Sequence, residues 1–326
     1  MRTLISAILV AFAAMPLAAR AEDTANKEIA ARVELHAIPS LTLSDQQFLS
    51  GDPNGKAVTV TGEFRIAQGA GKLPVVILIH GSGGMGPNIE SWARDLNAMG
   101  ISTFALDGFT GRGLTSVNTD QALLGRLAFT LDAYRVLDML AKHPRVDAAR
   151  IVLMGFSRGG QGVLFASLKR FHRTWNKSGA EFAAYIPFYP DCSTTYLSDT
   201  EVDRPIRIFH GTPHDYNPVA SCKRYVERLR AAGRDVQLTE YPNAQHGFDN
   251  PLGTPAPFTA KGAQTVRNCR IAEEPKGILI NAVSKQPFTY KDACVETDPH
   301  VNYDAEATRA AHIAVKDFLR STFKME

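Results

Sequence analysis

Beyond its N-terminus this chain of 326 residues has no apolar run near the roughly 20 residues that a membrane-spanning helix needs, which excludes an integral membrane protein built on such helices. Net charge is small. Lys and Arg number 36 against 33 Asp and Glu, a formal +3, so no electrostatic case exists for nucleic acid as a partner. Cysteine is scarce, with four residues and none in the short C-x-x-C pairs of a zinc site. No Gly-Lys-Ser/Thr follows the glycine-rich loops, so none of them reads as a phosphate loop. Internal repeats and low-complexity linkers are missing too. Apolar side chain is what abounds, 44% of residues with only 21% charged, enough for a large buried core.

At the start, Arg2 precedes an apolar stretch over residues 4–15 that only Ser6 interrupts. Pro16 ends it, and Ala19-Arg20-Ala21 places small residues at −3 and −1 of a cleavage point before Glu22. This pattern predicts a secretory signal peptide over 1–21, export to the periplasm or the medium, and a single domain over 22–326. The four cysteines, Cys192, Cys222, Cys269 and Cys294, all follow the leader. An even number in an exported chain predicts disulfides. Of the three pairings, chain proximity favours Cys192 with Cys222 and Cys269 with Cys294.

The early chain is β-like, with strands expected at 33–37 and 58–66 around a turn cluster at 51–55. From there, short apolar runs at 75–79, 101–106, 151–154, 183–189, 205–209 and 236–241 alternate with helical stretches at 91–99, 124–140, 160–168, 225–232 and 307–318. In the longest of these, Leu124, Leu127, Leu131, Tyr134, Leu137 and Leu140 recur at steps of three and four. Strands buried on both faces between helices predict an α/β fold. Its sheet is mostly parallel, with helices on both faces and antiparallel strands at the N-terminus. Residues 250–302 break the pattern. They read as an insertion before the last helix, with short strands near 270–272 and 277–282, pinned by Cys269–Cys294.

Gly155-Phe156-Ser157-Arg158-Gly159 is a G-x-S-x-G between a buried strand and a helix. That setting forces the serine into a tight turn with its side chain above the sheet, and the glycines let the backbone pass without Cβ clashes. A serine hydroxyl needs a base, and the base needs an orienting acid. On such a scaffold the order is Ser, acid, His. Asp215 follows the strand at 205–209 and His246 follows the strand at 236–241, which makes Ser157, Asp215 and His246 the expected triad. Asp191 and Asp203 are rivals for the acid, but one follows an earlier strand and the other precedes its strand. His80, His210 and His214 are rivals for the base, and His80 and His210 read as strand-end residues that bond backbone. The oxyanion donors are expected to be the amide of Arg158 and one from His80-Gly81-Ser82-Gly83-Gly84, Ser82 first and Gly83 next. Arg112, after the strand at 101–106, either faces the substrate and favours carboxylate-bearing esters or makes a structural ion pair, for example with Asp107.

Together HGSGG at 80–84, DGFTGRG at 107–113, GFSRGG at 155–160, HGTPHD at 210–215 and NAQHGF at 243–248 give a chain that resembles the α/β-hydrolase superfamily and, within it, the dienelactone hydrolase family, over residues 30–325. The resemblance implies the α/β-hydrolase fold and a hydrolase of small carboxylic esters or lactones, working through an acyl-enzyme on the triad with neither metal nor organic cofactor. The family typically carries cysteine at the nucleophile position, and Ser157 suits ordinary oxygen-ester hydrolysis. The disulfide-pinned insertion departs from the family's compact core. A peptidase or acyl transferase on the same scaffold and a non-catalytic binding protein are the alternatives. The 305 residues left once residues 1–21 are removed from the 326 leave little room for the large extra domain usual in such peptidases, and a full set of triad residues argues against a binder.

Overall fold

In the computed structural model, residues 27–325 are described, and the expected signal peptide lies outside them. Two long strands, β1 (Arg32–Thr42) and β2 (Lys56–Ile66), pair antiparallel along their whole length. Between them lies a helix the periodicity did not indicate, α1 (Asp45–Ser50). The Ser44 hydroxyl accepts from the Gln47 amide, and the Gln47 side chain returns the bond to Ser44. The alternating series follows: β3 (Leu73–Ile79), α2 (Pro87–Ala98), β4 (Ser102–Asp107), α3 (Ala128–Ala141), β5 (Val146–Phe156), α4 (Arg158–Ala166), α5 (Lys169–Trp175), β6 (Ala184–Phe188), β7 (Thr194–Thr195), β8 (Ile206–Gly211), α6 (Val219–Ala231) and β9 (Val236–Tyr241).

Eight strands form one sheet in the order β1-β2-β4-β3-β5-β6-β8-β9. The β1/β2 and β2/β4 pairs are antiparallel and the rest parallel, the mixed architecture expected from the pattern. Alternation along β3 divides the core between the two faces. Val75, Ile77 and Ile79 pack with Leu131 and Leu137 of α3 and Leu164 of α4. Val76 and Leu78 pack with Trp92 of α2 and with Leu319 near the C-terminus.

The helix expected from residue 124 begins only at Ala128: the Leu124 carbonyl accepts from the Arg158 guanidinium, and the Gly125 carbonyl accepts from that guanidinium and from the Ala128 amide in a single tight turn. The late segment holds four short strands, β10 (Phe258–Thr259), β11 (Ile271–Glu274), β12 (Ile278–Asn281) and β13 (His300–Val301), before α7 (Ala305–Phe323). β11 joins β12 antiparallel and β7 parallel, and β10 pairs with β13. Cys192 is bonded to Cys222 and Cys269 to Cys294. Among the described residues no helix is long and apolar enough to cross a membrane.

Candidate active site

The carboxyl ends of the parallel strands bring the chemistry together. β5 ends at Phe156, and Ser157 turns the chain into α4 at φ 55° and ψ −116°. A non-glycine residue held there costs about 1–3 kcal/mol, which the packing around it must sustain. The packing is close. A Cβ on Gly159 would lie 2.4 Å from the carbonyl oxygens of Ile79 and His80, so only glycine lets α4 rest on the end of β3.

Ser157 Oγ lies 2.8 Å from His246 Nε2, and both residues are buried. The glycine loop after β3 passes alongside: a Cβ on Gly81 would be 3.2 Å from that of Ser157. Ser82 and Gly83 line the same cleft as Ser157 and His246, an open space of about 1150 Å³. The Arg158 amide opens α4, where a backbone N–H has no partner inside the helix. The expected nucleophile, base and oxyanion donors are therefore brought to one place.

Asp215 is not among them, and the expectation for the third member is corrected. His246 Nδ1 faces His214 Nε2 at 2.7 Å. The Asp215 carboxylate points away into the late segment, where it accepts from the His300 amide at 2.8 Å and lies 2.9 Å from His300 Nδ1 and 3.1 Å from Arg267 Nη1. Successive side chains leave this turn in opposite directions. The inward one is fixed by the Asn217 amide, which donates to His214 Nδ1 at 2.9 Å. The rival acids are engaged elsewhere: Asp191 with Arg126, Asp203 with the Tyr185 hydroxyl. No local signal separates His214 from Asp215, since the side-chain-to-backbone turn that holds His214 is one an aspartate forms as readily.

Burial lowers the pKa of His246 to about 3, and the nearby His210 pushes the same way. It holds His214 well below the ordinary histidine range, helped by His210 and His246. Both rings are therefore neutral near pH 7. Tyr216 stacks on the His246 ring at 4.3 Å between centroids, and Tyr189 lies at 4.8 Å. Behind the histidine, β13 forms a bridge from Val301 to His246, and Asn302 Oδ1 accepts from the Gln245 amide at 2.7 Å. Sequence reasoning did not single out Asn302 or His300.

Of the two readings of Arg112 the structural ion pair holds, with Asp132 as partner and not Asp107, and the substrate-binding one is corrected. Arg112 does not face the cleft, because its guanidinium is buried against the Asp132 carboxylate at 2.7 and 3.0 Å and donates to the carbonyls of Gly108 and Leu41. The arginines near the serine are Arg126 and Arg158, which line a narrow recess with Ser157, Gln161 and Tyr216. Arg158 donates to the Gln121 side chain and to the Leu124 and Gly125 carbonyls. Arg126 Nε, Gln161 Nε2 and the Tyr216 hydroxyl are buried without a hydrogen-bond partner. Among the described residues no group of three or more His, Cys, Asp or Glu is placed to hold a metal ion.

No curated protein matches the chain. Solved structures do. A dienelactone hydrolase-like promiscuous phosphotriesterase from metagenomic libraries is 17% identical with a TM-score of 0.56, and a carboxylesterase from Lactobacillus plantarum is 16% identical with a TM-score of 0.53. In both, the match covers 89% of this chain and 98% of the other. At these identities the likeness speaks for the fold. The profile of the dienelactone hydrolase family matches residues 62–323. The chain therefore belongs to the dienelactone hydrolase family, hydrolases that act on ester bonds.

Proposed function

We propose that this chain is an exported serine esterase that cleaves small carboxylic esters or lactones through an acyl-enzyme on Ser157. The observation that carries the reading is the 2.8 Å contact between Ser157 Oγ and His246 Nε2, on a strained elbow beside an open cleft. Ser157 attacks the carbonyl, and His246 takes its proton and hands it to the leaving alkoxide. The amide of Arg158 and one of Ser82 or Gly83 hold the developing oxyanion. His246 then draws a proton from water, which releases the acid. His214 stands where a carboxylate ordinarily orients the base. The two disulfides fit an exported protein. The polar lining of the recess beside Ser157, with Arg126, Arg158, Gln121 and Gln161, favours an acyl group that carries hydrogen-bond acceptors, a second carboxylate above all.

A fluorophosphonate probe and a panel of short esters and lactones, each in neutral and carboxylate-bearing form, test this. Wild type is expected to label at Ser157 and to prefer the carboxylate-bearing members. Ser157→Ala and His246→Ala should each lower kcat by roughly 10⁴-fold or more, without adding in combination. Asp215→Asn should stay within about threefold, as expected for a residue outside the relay. Undiminished turnover in Ser157→Ala would refute the reading.

A further inference from the structure

We propose that His214 is a tautomer lock: it keeps the single ring proton of neutral His246 on Nε2, so that Ser157 becomes activated only when the hydrogen bond from the Asn217 amide to His214 opens. The proposal rests on the esterase reading above and adds a positioning residue to it.

The argument follows the protons. A backbone N–H can only donate, so His214 Nδ1, 2.9 Å from the Asn217 nitrogen, presents a lone pair. A neutral imidazole has one N–H, which in His214 must then sit on Nε2. That N–H points across 2.7 Å at His246 Nδ1, which therefore accepts. The single N–H of His246 is left on Nε2, where it donates to Ser157 Oγ at 2.8 Å. A nitrogen that donates to the serine cannot take the serine's proton. The groups around the pair do not supply a counter-charge. Ser157, Tyr189 and Tyr216 face His246, and His210 lies beside His214 at 4.7 Å between ring centroids. Burial keeps both rings neutral.

The competent arrangement holds the same two protons in other places. The proton between the rings moves from His214 Nε2 to His246 Nδ1. The Nε2 proton of His246 passes to water in the cleft, and water returns one to His214 Nδ1. This sets the new His214 N–H against the Asn217 N–H, and one buried donor loses its acceptor unless the turn opens. Such a mismatch reduces the competent population about 10- to 100-fold. A carboxylate at position 214 accepts from both donors at once and has no such conflict.

Histidine-labelled protein read by ¹⁵N NMR at pH 7 tests the lock directly, with kcat measured on p-nitrophenyl acetate in wild type, His214→Asp and His214→Glu. Wild type is expected to show His246 protonated on Nε2. The carboxylate variant that reaches His246 should move the proton to Nδ1, raise kcat about 10- to 100-fold, and gain a rate that climbs with pH through the ordinary histidine range. His214→Asn, which still offers a donor to His246, should show no such rise. An Nδ1–H tautomer in wild type overturns the lock. So does a variant that moves the proton to Nδ1 without a gain in kcat. Absent labelling of Ser157 in wild type and variants alike would instead refute the esterase reading, and the tautomer spectrum would still decide the lock.

Discussion

A buried guanidinium persists where a carboxylate and several carbonyls meet it, and Arg112 has both. Asp132, on α3, is fully buried against it, and Ser40 Oγ donates to the same carboxylate. Arg112→Ala strands that carboxylate in the core, so it should lower stability by about 3–5 kcal/mol while leaving KM for anionic and neutral esters alike. Urea unfolding beside steady-state kinetics checks this, and a selective rise in KM for the anionic ester would return Arg112 to the substrate. The sequence could not show this pairing, because Asp132 sits 20 residues on, in a different element. Ser157 and His246 were legible because a local run fixes each, a strand-turn-helix for one and a strand end for the other. His214 and Asp215 are adjacent, and only the direction in which the turn presents each side chain separates them. A rule about residue type points to the acid. The Asn217 amide selects its neighbour.

At the scale of elements, the missed helix α1 did carry a signal. Ser44-Asp45-Gln46-Gln47 is a capping box, but the helix has only two buried apolar residues, Phe48 and Leu49, too few to show a period. The late start of α3 was not legible, because Arg158 reaches the carbonyls before it from more than 30 residues away in sequence. The late segment was readable as an interruption, and its disulfide pairing followed from spacing, but its role did not. β13 runs beside His246, and its His300 holds Asp215 outward. Replacing Cys269 and Cys294 by Ser frees a loop of 25 residues, which should lower stability by about 3 kcal/mol in the chain-entropy model. Because β13 and Asn302, which support the backbone around His246, follow directly on that loop, kcat should fall more than KM rises. An unchanged kcat in the folded variant would show that the segment holds itself in place without the bridge.

Over the whole molecule, the layering of helices on both faces could be read from continuous apolar runs, whereas the placement of β2 between β1 and β4 could not, since nothing local encodes which strand pairs with which. The molecule also stores a pH response. His210 is lowered by burial to about 4, His246 to about 3, and His214 falls well below its ordinary range. Unfolded histidines titrate near 6.5, so between that value and the folded ones the unfolded chain binds more protons. Stability is therefore complete above about pH 6.5 and is lost as pH falls, by up to roughly 1.4 kcal/mol per pH unit for each ring. Asp203, raised by burial to about 6, works in the opposite direction between its ordinary value and 6. Asp45 and Asp249, which burial also raises, work in that direction too, while His80 and His172, lowered by burial, add to the histidine side. Melting temperature is expected to drop between pH 7.5 and pH 5, and a flat profile would show that these rings gain protons without unfolding.

The turn at Ser157 sets durability against turnover. Its φ of 55° and ψ of −116° are close to the mirror image of an extended strand, a region glycine occupies as readily as the extended one. Ser157→Gly should therefore remove the hydroxyl and relax the backbone together. The relief of about 1–3 kcal/mol exceeds the added freedom of the unfolded chain, leaving a gain of roughly 1 kcal/mol. Thermal unfolding of Ser157→Gly against Ser157→Ala isolates the backbone share, since both lack the nucleophile. If the glycine form melts higher, evolution has kept this protein less durable than a one-residue change would make it, and the strained serine is the reason.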